Sequence, residues 1–162
     1  MQKITTFLWF NERAEEAARF YVSVFKRAKI VRRMYYPEGS PAPTGSLATI
    51  EIELLGQRFV LLNAADIQEP EFTFNKSVSF VVNCSTQREI DYYWRKLTAG
   101  GGKPNACGWL TDKYGISWQI TPTQLVDIVS GGDRAKAARA FQAMLQMDKI
   151  DLKKIKRAAA VR

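Results

Sequence analysis

The chain repeats a strand-and-helix pattern at an interval of 72 residues, and this repeat constrains the fold more than any other sequence feature. The residues that match under this shift are Phe7–Phe10 with Ser79–Val82, Asn11 with Asn83, Phe20 with Tyr92, Tyr21 with Tyr93, and Phe25 with Leu97. Each copy therefore has a strand, an asparagine and a helix with adjacent aromatic residues, in the same order and without a gap. The repeat predicts two related modules built on one plan.

The first module is predicted to have the element order βαβββ. Strands are expected where β-branched and aromatic residues dominate, and a helix where apolar residues recur at helical spacing. The predicted elements are a strand over 3–10, a helix over about 12–26 with Asn11 as its N-cap, and strands over 29–36, 46–55 and 57–63. The prolines of Pro37–Pro43 predict a loop, and Leu55-Gly56 predicts a tight hairpin.

The second module begins in the same way and is followed by a helical tail. The predicted elements are a strand over 77–83, a helix over about 87–98 capped by Ser85 or Thr86, strands over 107–111 and 116–121, and helices over about 122–129 and 133–147 and after Asp151. Residues 1–162 are predicted to form one domain: module one over about 1–64, module two over about 77–121, and the helical tail over about 122–162.

The chain contains no histidine, which excludes the Ser-His-Asp and Cys-His catalytic devices and the H-E-x-x-H zinc site. Its two cysteines, Cys84 and Cys107, have no C-x-x-C spacing, so a disulfide framework is not expected and a cytoplasmic location is predicted. No apolar run approaches the roughly 20 residues that span a bilayer. We therefore expect neither a signal peptide nor a membrane partner.

The net charge of +8 is concentrated toward the end of the chain. Residues 148–162 contain six Lys or Arg residues against two Asp residues, which is half of the excess. A basic tail can attract nucleic acid or an anionic surface, although a solvated terminal helix is the simpler interpretation. No base-reading motif accompanies the tail, so nucleic acid is not expected as a partner.

Several segments resemble the PhnB-like group of the glyoxalase/bleomycin-resistance, or vicinal oxygen chelate, superfamily, a group often labelled demethylubiquinone 3-methyltransferase. The segments that carry the resemblance are Ile4–Phe10, Ala14–Phe25, Ser79–Cys84, Asp91–Trp94, Cys107–Pro122 and Ala143–Asp151. The resemblance implies an α+β fold in which two βαβββ-type modules form a glyoxalase-like half-barrel domain, with C-terminal helices. It also implies a homodimer.

The resemblance further implies where a metal would bind in this chain. Metal-dependent members carry ligands on the first and last strand of each module, and the corresponding residues here are Thr5, Ser77, the stretch Val60–Asn63 and Gln119. Neutral hydroxyls, an aliphatic strand and an amide cannot replace the hydration of a dication. We predict no metal and no cofactor, and name Glu51, Glu53 and Asp66 as the alternative ligands.

The resemblance implies a concavity between the modules, in which a small molecule would bind. The predicted pocket residues are Thr5, Trp9, Asn63, Ser77, Cys107, Trp109, Trp118 and Gln119. The tryptophans have core packing as their alternative role. The leading hypothesis is metal-free binding of an unknown small molecule, and catalysis is left open. The alternatives are a superfamily enzyme, such as a lyase, dioxygenase or methyltransferase, and an interaction module that uses the basic tail.

Overall fold

The computed structural model describes residues 3–64 and 73–160, which divide after Thr73 into two compact units. The elements of the first unit are β1 (Thr6–Phe10), α1 (Ala14–Val24), β2 (Lys29–Tyr35), β3 (Leu47–Leu54) and β4 (Gln57–Asn63). Those of the second are β5 (Ser79–Cys84), α2 (Gln87–Thr98), β6 (Lys103–Pro104), β7 (Trp109–Thr111), β8 (Ser117–Pro122), α3 (Thr123–Ser130), α4 (Arg134–Leu145) and α5 (Leu152–Ala160). No helix within the described ranges is long and apolar enough to cross a membrane.

The first unit is a four-stranded sheet with α1 packed on one face. Its strand order is β1-β4-β3-β2, in which β1 runs parallel to β4 and the other pairs are antiparallel. Along β3 the side chains alternate between buried and half-buried, the pattern of a strand covered on one face. The core on the α1 side contains Ile50, Ile52, Phe59 and Leu61 of the sheet and Tyr21 of α1.

The second unit repeats this arrangement in the strand order β5-β8-β7-β6, with β5 parallel to β8. Its core contains Leu110, Trp118 and Ile120 of the sheet with Ile90 and Leu97 of α2. The predicted βαβββ repeat is confirmed, although the two-residue strand β6 is an element that the sequence did not indicate. A two-residue strand is too short to produce a periodic pattern.

The aromatic pairs that marked the repeat occupy equivalent places in the two helices. Phe20 and Tyr21 pack edge to face with ring centroids 5.4 Å apart. Tyr92 and Tyr93 do the same at 5.2 Å. Tyr21 and Tyr93, the second member of each pair, are both buried. The interval of 72 residues therefore describes the folded modules as well as the sequence.

The two module helices start by different means. The backbone of Ala14 donates to Asn63 Oδ1 at 3.4 Å, and the N-cap Arg13 supplies no side-chain cap. The prediction that Asn11 caps α1 is therefore wrong: an amide from β4, 49 residues away in the chain, takes that place. In α2 the predicted local cap is confirmed, since Thr86 Oγ1 accepts from Glu89 N at 3.2 Å. Asp133 and Asp151 cap α4 and α5 in the same local way.

The tail helices pack on one another and on the rest of the second unit. Their shared core contains Leu125, Ala140, Ile150, Ile155 and Ala159. The side-chain amide of Gln87 holds the segment before α5 at two points: Nε2 donates to Ile150 O at 3.1 Å, and Oε1 accepts from Leu152 N at 2.8 Å. A side chain at Gly108 would lie 3.1 Å from Ile150, so glycine permits this close approach.

Candidate functional site

The face of the first sheet opposite α1 has a mostly apolar row beside a row that contains the ion-paired Glu51. Register places Trp9 beside Leu62, Leu62 beside Thr49, and Thr49 beside Met34, so these four side chains cross the sheet in one row. Phe7, two residues before Trp9 on β1, lies on the same face and is 57% exposed. This row therefore offers apolar or aromatic side chains from β1, β4 and β2 and the hydroxyl of Thr49 from β3.

The acidic residues of this sheet are paired with basic ones. Glu51 contacts Arg58 at 2.8 Å and Arg32 at 3.0 Å, and Glu53 contacts Arg58 at 2.9 Å and Lys29 at 3.6 Å. Carboxylates that are neutralised by three cations are poor ligands for a metal ion. Asp66, the third alternative metal ligand, lies outside the described residues.

The face of the second sheet opposite α2 is polar and uncharged at its centre. Register aligns Ser79, Ser117 and Thr111 in one row. It aligns Val81, Gln119 and Trp109 in the next row. We call these six residues the β8 strip, since Ser117 and Gln119 of β8 form its middle. The strip offers hydroxyl and amide groups beside an indole ring and a valine.

Hydrogen bonds order most of the polar groups of the β8 strip. Gln119 Nε2 donates to Ser79 Oγ at 2.9 Å, which fixes the predicted Gln119 on this face. Asn105 Nδ2 donates to Thr111 Oγ1 at 3.2 Å, and Lys76 Nζ donates to Asn105 Oδ1 at 3.2 Å. Gln119 Oε1 accepts no hydrogen bond from the described residues.

Ser117 is the exception, because its hydroxyl is buried and without a partner. The residue is 2% exposed, and Ser117 Oγ has no hydrogen-bond partner among the described residues. A buried hydroxyl without a partner costs about 1–3 kcal/mol, so such groups are rare unless a ligand or water completes them. The centre of the β8 strip thus has an unused hydrogen-bonding group.

Trp118 lies on the opposite side of β8 and belongs to the core. It is 4% exposed, packs against Phe80 with ring centroids 5.4 Å apart, and donates from Nε1 to Asp112 Oδ2 at 2.8 Å. Asp112 Oδ1 accepts from Tyr114 N at 2.9 Å and Ile116 N at 3.1 Å, which shapes the hairpin between β7 and β8. The core alternative considered for this tryptophan is the one that the structure supports.

The other predicted pocket residues are distributed over both units. Trp9 lies on the face opposite α1, whereas the Asn63 side chain turns to the start of α1 and away from that face. Thr5 precedes β1, and Ser77 precedes β5, and both are exposed. Cys107 precedes β7 with φ at 61°, and its backbone N–H donates to Met147 O. The binding roles of these residues stay predictions.

The sequence reasoning missed Ser79, Ser117, Thr111 and Asn105. The signal for Ser117 was present in the two-residue period of a strand, which places it on the same face as Gln119. Ser79 was missed because the predicted strand began two residues early, at Ser77, and Ser77 was named in its place. Strand periodicity could not identify Asn105, because this residue lies in the turn between β6 and β7.

The metal that the fold family implies does not fit these residues. In the equivalent rows of the two modules, the first strand and the last strand pair Trp9 with Leu62 and Val81 with Gln119, so these two pairs supply a single oxygen-bearing side chain. A divalent cation needs several anionic oxygens or imidazoles. Within residues 3–64 and 73–160, no group of three or more Asp, Glu, Cys or His side chains could hold one.

The two cysteines are free and differ in environment. Burial, followed by the nearby Glu89 carboxylate, raises the pKa of Cys84 to about 12. A thiol with this pKa stays protonated at neutral pH and is a poor nucleophile. Cys84 is therefore a core residue.

The chain has two consecutive βαβββ units, and in each the first strand runs parallel to the last. This arrangement defines a two-module α+β protein of the glyoxalase type. The family described as 3-demethylubiquinone-9 3-methyltransferase matches residues 2–121. The chain belongs to this family, which includes PhnB-like proteins of the glyoxalase/bleomycin-resistance superfamily. The match ends before α3, so the three tail helices lie outside it. Comparison with the curated proteins gives no match.

Solved structures support the same fold. The PhnB protein from Bacillus cereus is 38% identical with a TM-score of 0.66, over 75% of this chain and 99% of that one. A Pseudomonas aeruginosa protein is 17% identical with a TM-score of 0.58, over 75% and 98%. The fosfomycin resistance protein FosX from Listeria monocytogenes is 9% identical with a TM-score of 0.50, over 75% and 93%. The last two show the fold alone.

Proposed function

We propose that this chain binds an uncharged small organic molecule at the β8 strip, without a metal. The observation that carries the proposal is the buried hydroxyl of Ser117, which has no partner among the described residues and lies between Ser79 and Thr111. A ligand atom that bonds to this hydroxyl would remove the cost of burying it unpaired. The fold family makes a binding role for this sheet a reasonable expectation, and the residues of the strip define its chemistry.

The strip favours a neutral ligand with a ring and an oxygen or amide group. Gln119 Oε1 can accept and the Ser117 hydroxyl can donate or accept, so the strip suits a ligand with both kinds of group. Trp109 and Val81 beside them suit an apolar ring. None of the six residues carries a charge, so an anionic ligand would lose its hydration without an ion pair in return.

Binding is favoured over methyl transfer, the reaction that the family description names. Transfer to a hydroxyl needs a base that takes its proton, and the chain has no histidine. The nearest buried carboxylate in sequence, Asp112, already accepts three hydrogen bonds within the β7–β8 hairpin. Turnover that depends on a methyl donor would contradict the proposal.

The test uses the full chain and a matched pair of probes, benzamide and benzoate. These differ chiefly in charge, so ¹⁵N-resolved NMR titration should show millimolar binding of benzamide that shifts the Gln119 side-chain amide signals, and much weaker binding of benzoate. Gln119→Leu should abolish the shifts that benzamide causes in the backbone amide signals of β8. Leu62→Gln, which alters the equivalent row of the first sheet, is the control and should leave that response unchanged.

Elemental analysis and native mass spectrometry of the same sample complete the test. A protein without stoichiometric metal, empty or carrying a neutral organic molecule, would support the proposal, and the mass of that molecule would identify the ligand. A stoichiometric divalent metal, or equal binding of benzoate and benzamide, would overturn it.

We also propose that the chain forms a homodimer through α4. The outward face of this helix exposes Phe141 (43%) and Leu145 (42%), four residues apart on one stripe. An exposed apolar stripe of this kind suits isologous packing. Light scattering should show a dimer that becomes a monomer in the variant F141Q/L145Q; a variant that stays dimeric would contradict this interface.

The free cysteines agree with the predicted cytoplasmic location, which stays a prediction.

A further inference from the structure

The exposed surface of α5 is made almost entirely of cations. Its buried side consists of Leu152, Ile155 and Ala159. The exposed residues between them are Lys153, Lys154, Lys156, Arg157 and Ala160. At 100° per residue, the four cations occupy an arc of about 160° on one side of the helix. We call these four residues the α5 basic face.

No carboxylate within the described chain pairs with the α5 basic face. None of its four cations takes part in a salt bridge, whereas Lys149, just before the helix, pairs with Asp91 at 2.5 Å. The nearby Asp151 uses its Oδ1 atom on the backbone N–H groups of Lys153 and Lys154. The positive charge is therefore available to an external anion.

The position of Lys153 and Lys154 is unfavourable for the helix itself. Both lie in the first turn of α5, where the positive end of the helix dipole disfavours cations. The C-terminus already has a cation, since the Arg139 guanidinium donates to Ala158 O and Ala159 O. Helix stability thus does not account for the placement of these lysines.

We infer that the α5 basic face docks onto the phosphate backbone of duplex nucleic acid, independently of its base sequence. Four unpaired cations on a regular helix match a linear array of phosphates, and lysines position a protein on a backbone without reading bases. A bilayer is the less suitable partner, because the apolar side of α5 is buried in the tail core and cannot insert. This inference concerns the tail, outside the matched family range, and is independent of the proposed small-molecule site.

Fluorescence anisotropy of the full chain with a labelled duplex of about 20 base pairs tests the inference through its salt dependence. Four phosphate contacts predict a slope of about −3.6 in log K against log salt, so that affinity falls about fifty-fold between 50 and 150 mM salt. The variant K153Q/K154Q/K156Q/R157Q should lose most of the binding and most of the slope.

The matched control is K3Q/K26Q/K96Q/K103Q, which removes the same net charge from exposed sites outside the tail. It should keep the slope and bind within about threefold of the parent, because the phosphate contacts that set the slope are made by the α5 basic face and not by these residues. Equal loss in both variants would overturn the inference, as would a duplex affinity that is insensitive to salt. Preferential capture by vesicles containing roughly a third phosphatidylserine would instead assign the face to a membrane surface and overturn it too.

Discussion

Replacing Ser117 by alanine should make the protein more stable, which is the reverse of what most core substitutions do. The Ser117 hydroxyl is buried, and no partner for it lies in the described chain. An unsatisfied buried hydroxyl costs about 1–3 kcal/mol, and alanine removes it with the loss of only one heavy atom from the packing. We expect a net gain of about 1 kcal/mol in the free energy of unfolding.

Ser79→Ala provides the matched comparison, because Ser79 is the register partner of Ser117 and its hydroxyl does have a partner. It accepts from Gln119 Nε2 at 2.9 Å, so its removal should destabilise the protein by about 0.5–1.5 kcal/mol. For a chain of this size, a gain of about 1 kcal/mol raises Tm by about 2–4 °C. Calorimetry of both variants measures the difference.

The expected result is therefore an opposite sign for two serines that face each other across one ladder. Ser117→Ala should also weaken binding of benzamide while raising Tm, as is common where a site trades stability for function. If Ser117→Ala lowers Tm as much as Ser79→Ala does, then the Ser117 hydroxyl is already satisfied in the folded protein, and the reasoning that assigns it to a ligand fails.

Three further predictions concern the framework of the second unit. Asp112→Ala should lower the free energy of unfolding by about 3 kcal/mol, because three donors lose their acceptor, whereas a loss below 1 kcal/mol in chemical denaturation would contradict this. Between pH 9 and 12, the free energy of unfolding should fall by up to about 1.4 kcal/mol per pH unit. The reason is that the Cys84 thiol ionises near its ordinary pKa of 9.0 in the unfolded chain but has a pKa of about 12 in the folded one. The variant Cys84→Ala should show a shallower decline. Gln87→Ala should free the segment before α5 from its two hydrogen bonds and speed proteolysis there, and an unchanged cleavage rate would count against that role.

The sequence predicted the order of the large elements because each satisfies a local rule. Strand and helix periods, the capping residues Thr86, Asp133 and Asp151, and the glycine of the Asp112–Gly115 turn are all visible within a few residues. Leu55 and Gly56 both take positive φ, at 49° and 85°, as a two-residue hairpin requires. Agreement among these local signals made the fold predictable.

The candidate site was less predictable because its residues depend on long-range pairing. Trp118 and Gln119 are adjacent, yet one is buried in the core and the other lies on the β8 strip, and only strand register decides which. Asn63 has a polar side chain of the kind that binds ligands, but its Oδ1 atom accepts from the backbone at the start of α1 instead. The strand period indicated the face on which Ser117 lies, but the lack of a partner for its hydroxyl becomes visible only after every described neighbour has been placed.

The unequal starts of α1 and α2 imply a folding order. The end of α2 that Thr86 caps can form from contiguous chain, because its hydrogen bond spans three residues. The start of α1 waits for Asn63, which arrives only when β4 has joined the sheet and the loop-closure entropy of the intervening chain has been lost. Pulsed hydrogen exchange during refolding should therefore protect the amides of α2 before those of α1. Two modules of nearly identical topology would then fold at different rates. The slower module, which contains α1, would determine how long the partly folded chain is able to misfold.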